Sequence, residues 1–212
     1  MKTYDLLLMP TGETTSGDKS FPVSRKAIEL YETGRFGHLF VSGGYGGLVD
    51  KIRRNNISEA EETKNFLLES EKIPTDKFYW DGQSLETIGN FTFPIVEKKA
   101  ENPSLLDFKK ILILGREGHM WRIKDYVNKV FSKSNNLIEF ETCPGKHNSG
   151  LQAKLYHEAI MNRLDKLEVG SPEEIHNFLL KEHPFYEQNW YEKSPLRRKV
   201  ETGIKVLNYY SQ

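Results

Sequence analysis

Residues 111–115 read Ile-Leu-Ile-Leu-Gly, and this stretch decides the fold. Four consecutive apolar side chains are typical of a strand that helices cover on both faces, as in a parallel sheet. We expect Gly115 to end this strand, and a helical pattern follows from Met120 to Phe131. A buried strand followed by an amphipathic helix is the repeating unit of α/β proteins.

The same alternation of short apolar runs and amphipathic stretches fills the first 150 residues. We predict a three-layer Rossmann-like α/β fold with about five mainly parallel strands, joined by right-handed crossovers. The four further strands are predicted at residues 6–9, 38–41, 77–80 and 137–142. Helices are predicted from Pro22 to a C-cap at Gly34, from a capping box at Ser58 and Glu61 to Glu71, and from Glu86 to about Ala100 with a break or kink at Pro94.

The pattern changes after Gly150, where no further strand is convincing. Helices are predicted at 151–167, from Ser171-Pro172 onward, and at 196–209. We therefore expect a Rossmann-like domain at 1–150 and a helical C-terminal extension at 151–212 that packs on it. The aromatic residues between 183 and 191 suit this packing, and an aromatic wall over an adenine-like base is the alternative.

The overall composition argues against several classes of partner. Lysine plus arginine equals aspartate plus glutamate at 30 each, whereas nucleic-acid binders usually carry a basic excess that neutralises phosphates. We therefore expect no nucleic-acid partner. Cys143 is the single cysteine, which fits a reducing compartment. The apolar run before Pro10 is too short for a signal-peptide core or a membrane span, so we expect a cytoplasmic protein with no membrane insertion.

Five turns at the predicted carboxyl edge of the sheet are rich in glycine and small polar residues. Sheets of this kind bind ligands outside the carboxyl ends of their strands. One such turn is explained by geometry alone, but five in register favour a binding site for a small polar, anionic ligand. The turns are Thr11-Gly12-Glu13, Ser42-Gly43-Gly44, Asp81-Gly82-Gln83-Ser84, Gly115-Arg116-Glu117-Gly118-His119 and Cys143-Pro144-Gly145-Lys146-His147.

A set of short motifs occurs in a defined order within residues 5–122. An opening strand is followed by Arg25, Ser42-Gly43-Gly44, Ser58-Glu59-Ala60, Ser84-x-x-Thr87-x-x-Asn90, and a strand leading to His119-x-x-Arg122. In these motifs the chain resembles the YdcF/SanA/ElyC-like family. The resemblance implies a Rossmann-like fold, a link of some members to envelope biogenesis, and S-adenosylmethionine binding in a cytoplasmic member. Ile123 and the Gly-Arg-Glu-Gly turn before His119 depart from the family pattern.

The motif residues suggest individual roles. Ser42-Gly43-Gly44 either presents backbone N–H groups to an oxyanion or is an ordinary turn. Ser84, Thr87 and Asn90 share one face if they start a helix, with capping by Ser84 as the simpler explanation. His119 is a candidate general acid, and Arg122 a fork for a carboxylate or phosphate. The resemblance adds Glu59 as a ligand for ribose hydroxyls or as a base.

Two hypotheses for the function follow. In the first, the chain binds a nucleotide-like ligand such as S-adenosylmethionine, through backbone N–H groups, Glu59 and Asn90. In the second, it is a hydrolase or transferase that acts on a phosphate or pyrophosphate ester, in which Arg25, Arg116 and Arg122 clamp the phosphate and His119 protonates the leaving group. Cys143 and His147 alone make a weak metal site, so no metal is predicted. The candidate ligand-binding residues are Thr11, Gly12, Arg25, Ser42, Gly43, Gly44, Ser84, Thr87, Asn90, Gly115, Arg116 and Arg122, and the candidate catalytic residues are His119 and Glu59.

Overall fold

A parallel sheet forms the centre of the protein. The computed structural model describes residues 2–10, 21–44, 57–97, 102–144, 151–167, 171–186, 197, 200–204 and 208. Its five strands are β1 (Tyr4–Pro10), β2 (Phe36–Ser42), β3 (Phe78–Asp81), β4 (Lys110–Arg116) and β5 (Leu137–Cys143). They lie in the order β3-β2-β1-β4-β5, and all neighbouring pairs are parallel. The predicted Rossmann-like fold class is confirmed.

Helices cover both faces of this sheet. The α-helices are α1 (Pro22–Glu32), α2 (Glu59–Glu69), α3 (Gly89–Val96), α4 (Glu117–Val130), α5 (Leu151–Leu164) and α6 (Pro172–Glu182). Short 3₁₀ helices span Thr75–Lys77, Leu105–Asp107 and Pro184–Tyr186. Residues 197, 200–204 and 208 are also helical, within the predicted third C-terminal helix. No helix in the described ranges is long and apolar enough to cross a bilayer.

Alternation along the strands divides the core into two halves. Leu6 and Leu8 of β1 face the half that α3, α4, α5 and α6 complete, whereas Leu7 and Met9 face the half that α1 and α2 complete. Successive side chains of a strand point to opposite faces, so an unbroken apolar run is required when both faces are covered. Because α5 and α6 contribute Ile160 and Ile175 to the first half, the C-terminal helices belong to the same core as the sheet.

Two predicted helix ends are found at the expected residues. Gly34 has a φ of 68°, a left-handed value that glycine adopts without a steric cost. Its N–H donates to Tyr31 O at 2.8 Å, which closes the end of α1. The Ser58 hydroxyl accepts a hydrogen bond from Glu61 N at 3.1 Å, so Ser58 is the N-cap of α2.

Several predicted boundaries differ from the structure, and three of them lie next to the candidate site. Gly115 does not end β4, because it pairs with Thr142 and the strand continues to Arg116. The helix predicted from Met120 begins earlier, at Glu117. The helix predicted from Glu86 begins only at Gly89, because the Glu86 side chain accepts the N–H groups of the residues that follow it.

Candidate functional site

Polar residues cluster where β2, β3 and β4 end. Ser42, Asp81 and Arg116 are the last residues of these strands, and all three are buried. The order of the strands reverses between β1 and β4, and ligands of open α/β sheets bind near such a switch point. Thr11 and Gly12, which follow β1, lie outside the described residues.

The Ser42-Gly43-Gly44 turn connects three parts of the chain. Gly43 N donates to Asp81 O at 2.9 Å and Gly44 N to Ser84 O at 2.5 Å. In return, Gly43 O and Gly44 O accept from the first two residues of α2, both at 2.8 Å. Of the two alternatives for this turn, the ordinary turn therefore fits Gly43 and Gly44, because both N–H groups donate within the protein. A Cβ atom on Gly44 would lie 2.9 Å from Gly82 O, so close packing requires the glycine.

The motif residues Ser84, Thr87 and Asn90 do not lie on one helix. Ser84 and Thr87 precede α3, whereas Asn90 is its second residue. The Ser84 hydroxyl donates a hydrogen bond to Asn90 Oδ1, and both side chains are buried. Thr87 is half-buried. Ser84 therefore positions Asn90 and does not cap the helix.

Glu86 caps α3, a role that the sequence did not reveal. Its Oε2 accepts from Ile88 N at 2.6 Å and its Oε1 from Gly89 N at 2.7 Å. Burial raises the pKa of the Glu86 carboxyl from 4.5 to about 7, although these hydrogen bonds and the charge of Arg122 lower it. Glu86 is thus a carboxyl group that can exchange a proton near neutral pH.

Tyr186, at the end of the last 3₁₀ helix, contacts the same carboxyl group. Its hydroxyl donates to Glu86 Oε1 at 3.2 Å and accepts from Leu85 N at 2.9 Å. Its ring stacks on Phe93 of α3 with 5.3 Å between centroids. The predicted packing role of the C-terminal aromatic segment thus holds for Tyr186, which also reaches the polar cluster.

His119 and Arg122 occupy the first two turns of α4, as their spacing predicted. Both are half-buried. Arg122 Nε is shielded from solvent and has no hydrogen-bond partner among the residues that the structure describes. The Arg122 charge lowers the pKa of Glu86 and that of Tyr126, so the guanidinium lies within electrostatic range of both groups.

A buried histidine extends the cluster toward α5. His157 Nε2 lies 2.9 Å from Asp125 Oδ2, and its ring packs edge-on against Trp121 at 4.6 Å between centroids. Burial lowers the pKa of His157, the Asp125 carboxylate raises it, and the Arg122 charge lowers it further. This residue lies after position 150, where the motifs gave no indication of a site.

The remaining predicted residues lie on both faces of the sheet. The Arg25 guanidinium is 5.5 Å above the ring of Phe66 in α2, on the face of the sheet opposite to α4. Glu59 is buried at the start of α2. Arg116 is buried as the N-cap residue of α4. Arg25 and Arg122 therefore lie on helices that cover opposite faces of the sheet. The predicted clamp, in which these two side chains and Arg116 hold one phosphate, stays a prediction.

The fold and the cluster define a Rossmann-like α/β protein in which an arginine and a buried carboxyl group lie within electrostatic range of each other near the carboxyl edge of the sheet. Among the described residues, no three His, Cys, Asp or Glu side chains are grouped so that they could hold a metal ion. Comparison of the chain with protein-family models, with curated proteins and with solved structures finds no match.

Proposed function

We propose that this protein binds a small anionic ligand at the carboxyl edge of its sheet and that Arg122 holds the anionic group. The observation that carries the proposal is the shielded Arg122 Nε, which has no hydrogen-bond partner in the described part of the chain. Buried donors in native proteins are nearly always paired, and a charged donor without a partner is costly. A carboxylate or phosphate oxygen of a ligand would satisfy it, since a guanidinium matches both groups in shape.

The surroundings of Arg122 favour an anion. Arg116 lies at the start of α4, where the helix dipole adds partial positive charge. The Arg122 charge acts on the Glu86 carboxyl group, whose pKa of about 7 leaves it partly neutral at physiological pH. His119 is three residues before Arg122 on the same helix and can supply a further donor.

A nucleotide-like ligand, with S-adenosylmethionine as one example, fits this proposal. Such a ligand carries a carboxylate or phosphate for Arg122 and hydroxyl groups for buried polar side chains such as Asn90 or Glu59. The resemblance of the motifs to the YdcF/SanA/ElyC-like family supports the same ligand class and, with it, a cytoplasmic protein.

The proposal is tested by calorimetry and thermal shift with phosphate, pyrophosphate, adenine nucleotides and S-adenosylmethionine. We expect at least one of them to bind, and Arg122→Ala to lower its affinity at least about tenfold, as expected for a charge-assisted contact. Arg122→Lys keeps the charge but loses the fork, so it restores affinity only in part. Lys124→Ala is the matched control, because Lys124 is exposed on the same helix. Unchanged affinity in Arg122→Ala would contradict the proposal.

A second candidate function is transfer or hydrolysis of a phosphate ester. It is favoured by Glu86, a carboxyl group that can donate or accept a proton near neutral pH and lies within electrostatic range of Arg122. His119 is the other candidate proton donor. Release of phosphate from p-nitrophenyl phosphate, with and without Mg²⁺, tests this function. We expect Glu86→Gln to stop release while anion binding persists, and release that survives both Glu86→Gln and His119→Ala would contradict these roles.

A further inference from the structure

We infer that binding of an anion to Arg122 is coupled to the uptake of a proton from solvent by the Glu86 carboxyl group. This inference rests on the proposed anion site and deepens it by defining the ligand. The site would select an oxyanion that is fully deprotonated, such as a sulfate or a phosphate dianion, because a protonated Glu86 donates a hydrogen bond and so requires an acceptor.

The hydrogen bonds of Glu86 leave one position for this proton. Oε1 accepts from Gly89 N and from the Tyr186 hydroxyl, whereas Oε2 accepts from Ile88 N. An ionised carboxylate has about four lone-pair sites, two on each oxygen. The remaining site is on Oε2, and no described residue donates to it. A proton there leaves the three existing hydrogen bonds intact and makes Glu86 a donor.

The charges around Glu86 determine the direction of the coupling. Arg122 and Tyr126 of α4 lie within electrostatic range of Glu86, and Tyr186 of the last 3₁₀ helix donates a hydrogen bond to it. Arg122 is the cation that stabilises the ionised form of Glu86, and Tyr126 and Tyr186 remain neutral because burial raises the pKa of each phenol. The negative charges of Asp81 and Asp125 raise the pKa of Tyr186 and of Tyr126, respectively.

An anion on Arg122 offsets the positive charge that stabilises ionised Glu86 and adds a repulsive negative charge. Both effects favour the neutral form of Glu86. The carboxyl group already has a pKa of about 7, so a modest further rise keeps it protonated in the complex at a pH where the free protein has released the proton. Proton uptake on binding is the thermodynamic consequence.

Sulfate is the probe of choice, because its own charge does not change near neutral pH. Calorimetric titrations of the full chain with sulfate at about pH 8, in buffers of different ionisation enthalpy, give the number of protons taken up. We expect an uptake between about half a proton and one proton, set by how far the anion raises the pKa of Glu86, and an affinity that falls up to about tenfold for each pH unit above about 7. In Glu86→Gln the uptake should be lost and the affinity should become independent of pH, because the amide keeps the shape and cannot titrate.

Glu97→Gln is the matched control, since the Glu97 carboxylate pairs with His176 at 3.2 Å and is not in contact with Arg122. On binding sulfate, Glu97→Gln should take up as many protons as the wild type does. Sulfate binding that depends on Arg122 but shows no proton uptake would overturn this inference and leave the anion site standing. Uptake that persists in Glu86→Gln would overturn it as well. Sulfate binding that is unaffected by Arg122→Ala would contradict the anion site itself. The wild-type titration decides the question even if a variant does not fold.

Discussion

The hydroxyl group of Tyr186 donates a hydrogen bond to Glu86 Oε1 at 3.2 Å, although 100 positions separate the two residues. The same hydroxyl accepts a hydrogen bond from Leu85 N at 2.9 Å, so it contacts both the Glu86 side chain and the backbone of the connection between β3 and α3. The C-terminal 3₁₀ helix thereby becomes part of the candidate site. A truncation at residue 150 would remove Tyr186 and, with α5 and α6, one part of the core.

Replacement of Tyr186 by phenylalanine should destabilise the protein and shift the titration of Glu86. The change leaves Leu85 N without its acceptor and Glu86 without one donor, which costs about 1–3 kcal/mol of unfolding free energy. Since the Tyr186 hydrogen bond lowers the pKa of Glu86, its loss should raise that pKa further. Urea denaturation measures the first effect, and the pH midpoint of sulfate binding measures the second, which should move upward.

Tyr31→Phe is the control for this variant. Tyr31 packs against Phe36 on the face covered by α1, with 5.5 Å between ring centroids. The unfolding free energy of Tyr31→Phe should differ from that of the wild type by less than about 0.5 kcal/mol. Equal stability of Tyr186→Phe and wild type would mean that the Tyr186 hydroxyl contributes nothing to holding the β3–α3 connection.

Local sequence signals predicted the fold because each of them acts over a few residues. The apolar run at 111–114 marks a strand, and Ser58 and Gly34 mark helix ends, without knowledge of the rest of the chain. His119 and Arg122 were predictable as a pair for the same reason, since one helix holds both. Motif spacing also indicated the region of Ser84 and Asn90, but not that the two side chains bond to each other.

The partners of Arg122 were not predictable, because they meet only in the folded protein. Glu86 resembles any glutamate in a helical stretch, and its position three residues before Gly89 gave no sign of side-chain capping. Its pKa depends on burial, on the Tyr186 hydrogen bond and on the Arg122 charge, and the last two come from distant parts of the chain. His157 likewise acquires its partner Asp125 only when α5 packs against α4.

Gly89→Ala should destabilise the protein and weaken anion binding. A Cβ atom at this position would lie 2.5 Å from Glu86 Oε1 and 2.6 Å from the Tyr186 hydroxyl oxygen. The clash separates the two groups, and overpacking of this kind costs about 1–3 kcal/mol. Thermal melts and sulfate titrations of the variant measure the two effects.

Gly203→Ala is a comparison variant that should raise the stability of the protein, whereas Gly89→Ala should lower it. Gly203 is helical, and a Cβ atom there would meet none of the described residues within 4 Å. Alanine in an unobstructed helix position is favoured over glycine by about 0.5–1 kcal/mol. A Gly89→Ala protein that gains stability in the same way would show that the β3–α3 connection moves aside without cost.

The Ser84–Asn90 hydrogen bond should appear as a coupling energy in a double-mutant cycle. Both side chains are buried, so either single replacement by alanine leaves a polar group without its partner. We expect each single variant to lose about 1–3 kcal/mol and the double variant to lose less than the sum. Additive losses would mean that the two side chains act separately, and Asn90 would then face a different partner.

Glu86→Gln should gain stability relative to the wild type as the pH rises. The pKa of Glu86 is about 7 in the folded protein and near 4.5 in the unfolded chain, so between these values the folded state holds more protons. The wild type therefore loses stability as the pH rises through this window, by up to about 3 kcal/mol in total, and the loss is complete above it. Glutamine keeps one acceptor oxygen and places its NH₂ group against the other α3 N–H group, at a cost that does not depend on pH, and it does not titrate. Urea denaturation of both proteins from about pH 5 to about pH 8 gives the difference in unfolding free energy at each pH, in which the titration of His157 cancels. A difference that stays constant over this range would show that Glu86 titrates normally and is not the proton acceptor of the site.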